Sequence, residues 1–363
     1  MGIHGGVTTR QHEPSACIIK DGTVVALCEE ERYLRIKSCY GLLPLNAMAA
    51  ALKLSGFTMS DIDLLVTPGE TYTEYDQTIA EFVRHNFGAV PKIKLVHHQL
   101  AHLASGFYAS GFENSLCLSL DSSGDGSSGF IAVASKTDGI KIIEDIPNTN
   151  SLGLFYTTIT HFLGFTDGDE YKVMGLAPYG KPEIDLSAFL RDDSSGWNLD
   201  RSFLRKTPAV KSPFEPNYSN ALSNLLKIEN RKPAEPLEDF HKNLAASVQA
   251  RTEVALMKLV NRIAKSNPTI KNLCYTGGVA MNCVANSQVI MSNLFNNVYI
   301  PPVTSDRGLS LGCAYLGAVE LGDRPIPLKN AYLGDSYSSN EVLKEVKSNG
   351  CAYQTVEDPS KLA

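Results

Sequence analysis

KLVHHQLAHLASGFYASGFENSLCLSLDSSGDGSSG, residues 94–129, joins a strand end, a helix, a second strand and a Gly-Ser loop in one run. His98 and His102 stand four residues apart in a segment (Leu100, Ala101, Leu103, Ala104) that favours helix, so both imidazoles leave one face and can reach one metal ion. His97 points elsewhere by the same geometry. SLCLSLD alternates apolar residues as a strand does and delivers Asp121 at its carboxyl end. The loop SSGDGSSG then offers short side chains and glycines, so backbone N–H groups can approach phosphate oxygens. Each part also has an ordinary reading: a histidine pair without a metal, and a Gly-Ser turn closing a hairpin. Two ligands, a carboxylate and an anion-tolerant loop in one run favour a functional centre.

Working outward, one design occurs twice. ACIIKDGTVVALCEEER reads as two strands around Asp21-Gly22, and GFIAVASKTDGIKIIEDI as two strands around Asp138-Gly139. Each pair follows a polar loop, which points to an internal duplication and to two α/β lobes facing a central cleft. The opening MGIHGGVTTRQHEPSA reads as a polar, Gly-rich loop. In the first lobe a helix is expected from Pro44 to Gly56, a buried strand at Leu64 to Val66, a helix from Glu74 to Phe87, and the strand KIKLV.

In the second lobe, Leu154, Phe155, Thr158, Ile159, Phe162 and Leu163 recur at helical spacing. DGDEYKVMGLAPYGKP carries more acidic, basic and glycine positions than a connection needs, although a solvated connection is the plain alternative. Asp192 to Pro236 lacks clear periodicity and is expected to be an insertion or flexible flap. A long helix follows through Phe240 to Ile263. A strand ending in Thr276-Gly277-Gly278 before a helix offers a phosphate seat, with tight backbone packing as the other explanation. Asp306 stands ahead of a helix punctuated by Gly308 and Gly312, either as its N-cap or as a ligand.

The 363 residues suit two lobes with a large core. Thirty-nine acidic against 33 basic residues give a net charge of −6, and no Lys/Arg run occurs. Nucleic-acid binding through broad phosphate neutralisation is disfavoured on that ground. Eight scattered cysteines, none in a CxxC pair, fit reduced thiols. With no signal-like opening and no apolar run of about 18 residues, the expectation is a soluble cytoplasmic protein without a membrane partner.

HHQLAHLASGFYAS, LSLDSSGDG, NSLGLFY, EYKVMGLAPYG, TGGVAMNCVANS and SDRGLSLGCAYLGA, in this order, resemble the carbamoyltransferase family that includes nodulation O-carbamoyltransferases and antibiotic-tailoring enzymes. HEPSACIIKDGTVVALCEEERYLRIK resembles the family's opening, with Glu13 where Asp is usual. The resemblance implies two duplicated RNase H-like lobes of the actin-like ATPase (ASKHA) class. Residues 1–105 would form the first and 106–335 the second, with an insertion at 192–236. Residues 336–363 would begin a linker to a C-terminal adenylate-forming domain, present in cis or in trans.

The implied activity is transfer of a carbamoyl group from carbamoyl-adenylate, made from carbamoyl phosphate and ATP with Mg, to the hydroxyl of a small-molecule acceptor. A divalent metal, iron first with Zn or Mn as alternatives, would sit at the positions matching His98, His102, Asp121 and Asp306. The nucleotide would lie against Gly277, Gly278 and Asn282, with Gly153 and Lys172 nearby, while His12 and Lys37 face the transfer site. His12 is the candidate to deprotonate the acceptor, a task Asp121 could share. The same two-lobed fold also accommodates a small-molecule kinase or a nucleotide-binding module without catalysis.

Overall fold

Alternating apolar residues build two sheets of one design in the computed structural model, which describes residues 1–6, 11–205, 216–356, 358 and 360. The first sheet comprises β1 (Gly2–His4), β2 (Ser15–Lys20), β3 (Thr23–Glu29), β4 (Leu64–Pro68) and β5 (Lys92–Val96), in the order β3-β2-β1-β4-β5. β1 pairs antiparallel with β2, as β2 does with β3; β4 runs parallel to β1 and to β5. The second sheet comprises β6 (Asn114–Gly124), β7 (Ser127–Ser135), β8 (Gly139–Pro147), β11 (Asn272–Thr276) and β12 (Asn297–Tyr299). Its order is β8-β7-β6-β11-β12 with the same polarities. Two sheets of identical order and direction are a pair of RNase H-like units. Asp21 and Gly22, at φ 50° and 77°, supply the left-handed pair that a tight hairpin between β2 and β3 requires.

In the first half, α1 (Glu30–Leu34) and α2 (Leu45–Ser55) join β3 to β4, α3 (Tyr75–Phe87) joins β4 to β5, and α4 (His98–Ser110) leaves β5. In the second, α5 (Leu152–Phe162), α6 (Glu170–Leu176), a hairpin of β9 (Leu190–Asp193) and β10 (Gly196–Leu199), α7 (Asn220–Leu226) and α8 (Asp239–Ser266) lie between β8 and β11. Then α9 (Cys283–Met291) joins β11 to β12, and α10 (Leu309–Glu320) leaves β12.

The two departing helices are exchanged. α4 packs on β6, β7 and β11, burying Leu103 and Phe107 with Cys117, Phe130, Ala132 and Cys274. α10 packs on β1, β2 and β4, burying Leu309 and Cys313 with Leu64 and Val66. Each large side chain so buried contributes about 1.5–3 kcal/mol. The helices touch where a Cβ on Gly312 would stand 1.8 Å from the Ala101 carbonyl oxygen, an approach that only glycine allows. Residue 105 lies within α4, whose Leu103 and Phe107 pack on the second sheet and whose Ala101 packs with Leu64 and Val66 of the first.

Two expectations change. The opening is not loop from its first residue: Gly2–His4 form β1, the central strand of the first sheet, with Ile3 only 1% exposed. Met1 and Ile3 join the core cluster of the first half, whereas a Cβ on Gly2 would meet α10 at Ser310. Three residues are too few for this alternation to show as a period. The described part of Asp192 to Pro236 is also no free flap, because Trp197, Leu199, Leu222 and Leu226 are buried in the largest core cluster with Phe155 and Phe189. Residues 206–215 of that segment lie outside the described residues.

Residues from Gly334 onward form a separate unit. It holds α11 (Ser339–Ser348), whose first turn is closed by reciprocal hydrogen bonds between Ser338 and Glu341. Among the described residues no helix is long and apolar enough to cross a membrane.

Candidate metal centre

β5 hands the chain directly to α4, and the first residues of that helix are fixed from two sides. His97 caps it, its Nδ1 accepting the Gln99 N–H at 3.1 Å while the ring stacks on Phe130 with centroids 4.5 Å apart. Asp125, in the turn between β6 and β7, accepts the His98 N–H at 2.8 Å and the Gly69 N–H at 3.2 Å through Oδ2, and the Thr71 hydroxyl at 2.7 Å through Oδ1. That pinning presents His98 and His102 on one face, one turn apart, their ring centroids separated by 4.8 Å.

Two carboxylates meet them. β6 does not end at Asp121 but continues to Gly124, with an irregular register between Leu120 and Gly124. Asp121 Oδ2 lies 3.1 Å from His98 Nε2 and 3.5 Å from His102 Nε2. Asp306 comes from the 3-10 turn Asp306–Gly308 just before α10, and its Oδ1 lies 3.5 Å from His98 Nε2 and 3.3 Å from His102 Nε2. It does not cap α10, whose N-cap position is Gly308. One ligand atom from each of the four residues lies within 4.8 Å of the others, and all four side chains are buried.

Burial works against charge on every member of this group. For His98 the carboxylates of Asp306 and Asp121 outweigh it and push the imidazole up to about 10. Burial also opposes ionisation of the two acids, as does their mutual repulsion at Asp121, yet the imidazoles hold both below the usual carboxylate range. The cluster thus has two negative groups facing a point where positive charge is favourable. Neither ring nitrogen of His102 has a hydrogen-bond partner, although both are buried. An orphaned imidazole beside a second imidazole and two carboxylates fits a divalent metal; His/Asp sets of this kind accept Fe, Zn or Mn.

Around this group the other expected residues fall into four places. His12 is adjacent, its Nδ1 4.0 Å from Asp306 Oδ2 and its ring 5.4 Å from that of Tyr40. Gly153, Gly277 and Gly278 press on Asp121 and its neighbour Leu120. A Cβ would stand 2.7 Å from the Ser122 nitrogen at Gly153, 2.2 Å from the Leu120 oxygen at Gly277 and 2.7 Å from Asp121 Oδ1 at Gly278. Packing around the acid explains these glycines directly. Asn282 caps α9 and pairs amide to amide with Gln249 at 2.9 and 3.1 Å, and Gln249 also accepts the Tyr156 hydroxyl at 3.0 Å. Lys37 and Lys172 meet elsewhere, on the ring of Tyr171, at 4.5 and 5.8 Å from its centroid; Lys172 also pairs with Asp169 at 2.8 Å.

Sequence reasoning missed His4, Asp125 and Gln249. His4 is buried at the end of β1, 3.6 Å from Asp306 Oδ2 and hydrogen-bonded through Nε2 to the His12 carbonyl at 2.9 Å. Gln249 had a signal: a polar residue on the buried face of α8 beside Ala245 and Val248.

The family model described as "Carbamoyltransferase N-terminus" matches residues 68–315. The chain belongs to the carbamoyltransferase family. Among its relatives, it is 31% identical to nodulation protein NolNO of Sinorhizobium fredii over 95% of this chain and 54% of that one. It is 35% identical to nodulation protein NolO of Bradyrhizobium diazoefficiens over 70% of this chain and 44% of that one. It thus spans about half the length of the curated relatives it matches. Among solved structures, the T. kodakarensis HypF is similar with a TM-score of 0.41 at 14% identity, over 88% of this chain and 52% of that one.

Proposed function

We propose that this carbamoyltransferase chain transfers a carbamoyl group from carbamoyl-adenylate to the hydroxyl of a small-molecule acceptor at the His98, His102, Asp121 and Asp306 centre. The supporting observation is the meeting of four ligand-type side chains, distant in sequence, at one buried point with His12 at its edge. His98 and His102 would hold the metal with the two carboxylates, iron being the first expectation. When bound, the ion supplies positive charge toward the negative charge that develops on the carbamoyl oxygen.

The chain's own residues do the remainder. His12, with Nδ1 free of hydrogen bonds, takes the proton of the acceptor hydroxyl as that oxygen bonds to the carbamoyl carbon. The bond from that carbon to the bridging phosphate oxygen breaks, and AMP leaves with the electron pair. The nucleotide would lie against Gly277, Gly278 and Asn282, the two glycines packed directly on the Asp121 strand and Asn282 held by Gln249, with Gly153 nearby. Lys37 and Lys172, gathered on Tyr171, offer positive charge to the phosphate. Carbamoyl phosphate, ATP and Mg would be needed where the adenylate is made, by an adenylate-forming domain in cis or in trans. To test the reading, His98→Ala and His102→Ala are compared with the unmodified protein for bound metal by elemental analysis and for transfer from supplied carbamoyl-adenylate. Loss of both is expected; retention of both defeats the assignment.

A further inference from the structure

Glu13 occupies left-handed backbone at φ 57°, a conformation that a non-glycine residue holds only when its surroundings fix it. Its carboxylate shows what fixes it. Oε2 accepts the Ser305 hydroxyl at 2.6 Å and Oε1 pairs with the Arg307 guanidinium at 2.8 Å, so the two neighbours of Asp306 are both held by one side chain. Arg307 reaches Glu31 at 3.2 Å and Glu29 at 3.6 Å, and its carbonyl accepts the Ser15 hydroxyl at 2.8 Å. Glu13, Ser15, Glu29 and Glu31 come from the first half; Ser305 and Arg307 come from the second. The Glu13 and Arg307 side chains are only 10% and 18% exposed, so solvent screens this pair weakly. His12 precedes Glu13, and His4 holds the His12 carbonyl.

We propose that Glu13 is a positioning residue: through Ser305 and Arg307 it fixes the spacing between His12 and Asp306, so that the proton acceptor and a metal-binding carboxylate are held as one unit across the two halves. The inference rests on the function proposed above for the roles of His12 and Asp306.

The test uses Glu13→Gln and Glu13→Asp in the full chain. Manganese affinity is read by chelator competition, and kcat and KM for supplied carbamoyl-adenylate are read separately, alongside the melting temperature. Glu13→Gln is expected to weaken manganese binding about tenfold and to lower kcat about 10–100-fold at unchanged KM, the range for groups that orient metal ligands. Glu13→Asp, which keeps the charge, is expected to recover part of kcat. A folded Glu13→Gln protein with unmodified manganese affinity and kcat overturns the inference while leaving the proposed function standing. If the unmodified protein binds no metal and transfers nothing, the proposed function itself fails and Glu13 loses its role. Should Glu13→Gln not fold, Ser305→Ala, which removes the Glu13 Oε2 contact, decides: unmodified manganese affinity and kcat overturn the inference, and a lowered kcat at unchanged KM supports it.

Discussion

In the first half, residues 30–63 join the third strand of the sheet to the fourth; in the second half, residues 148–271 make the same connection. The strand order around both connections is identical, so the duplication sets where strands end and not how much chain lies between them. Corresponding places carry the chemistry. His4 closes β1 and Asp121 lies near the end of β6; His98 begins α4 and Asp306 stands just before α10. Two copies of one scaffold bring these places together: His98, Asp121 and Asp306 meet with His102, one turn further along α4, in the candidate metal group, and His4 stands beside Asp306. The expanded connection of the second half supplies much of its core cluster; in the first half α2, Met59 and Ile62 do so on a smaller scale.

The largest expected effect tests that expansion. Trp197, 2% exposed and donating to the Asn150 carbonyl at 2.9 Å, ties the β9–β10 hairpin to the core. Trp197→Ala should cost about 3–5 kcal/mol in chemical denaturation; a cost near zero would return the segment to the status of a flap. Next comes the junction between halves. Asp125→Ala leaves the N–H groups of Gly69 and His98 without their acceptor and should cost about 1–3 kcal/mol. It should also weaken metal binding, measured by chelator competition, because the His98 end of α4 is no longer pinned.

A smaller, graded effect concerns pH. His98 is raised above its ordinary value to about 10, so its contribution in metal-stripped protein is complete below about pH 6.5 and declines as pH rises toward 10. Unfolding measured across that range should show the decline, and added divalent metal should abolish it by using the neutral imidazoles as ligands. The smallest effect is a control. Gly175 in α6 has no neighbour within 4 Å of an added Cβ, so Gly175→Ala should stabilise the protein by about 0.5–1 kcal/mol. A gain in stability with a loss of carbamoyl transfer would show that this face meets a ligand.

Much of this was legible in the chain. Helical spacing exposed His98 and His102, apolar alternation and short apolar runs marked β2 to β8 and β11, and the two Asp-Gly turns gave the duplication away because a tight hairpin needs left-handed backbone there. His4 was not legible, since a three-residue strand has no period to read. Asp125 looked like any turn acid; its role comes from Gly69 and Thr71, which lie more than fifty residues earlier. The ordinary explanation of Asp306 as a helix cap could be set aside only once its carboxylate was found facing the imidazoles.

Local pattern therefore determined the elements, the repeat and the His98/His102 pair, because those depend on neighbours three or four positions away. The exchange of α4 and α10, the closure at Gly312 and the grip of Glu13 on both sides of Asp306 were decided by tertiary packing alone. They join segments some 200 to 300 residues apart, and only the burial of two helices on each other's sheets determines which of those segments meet.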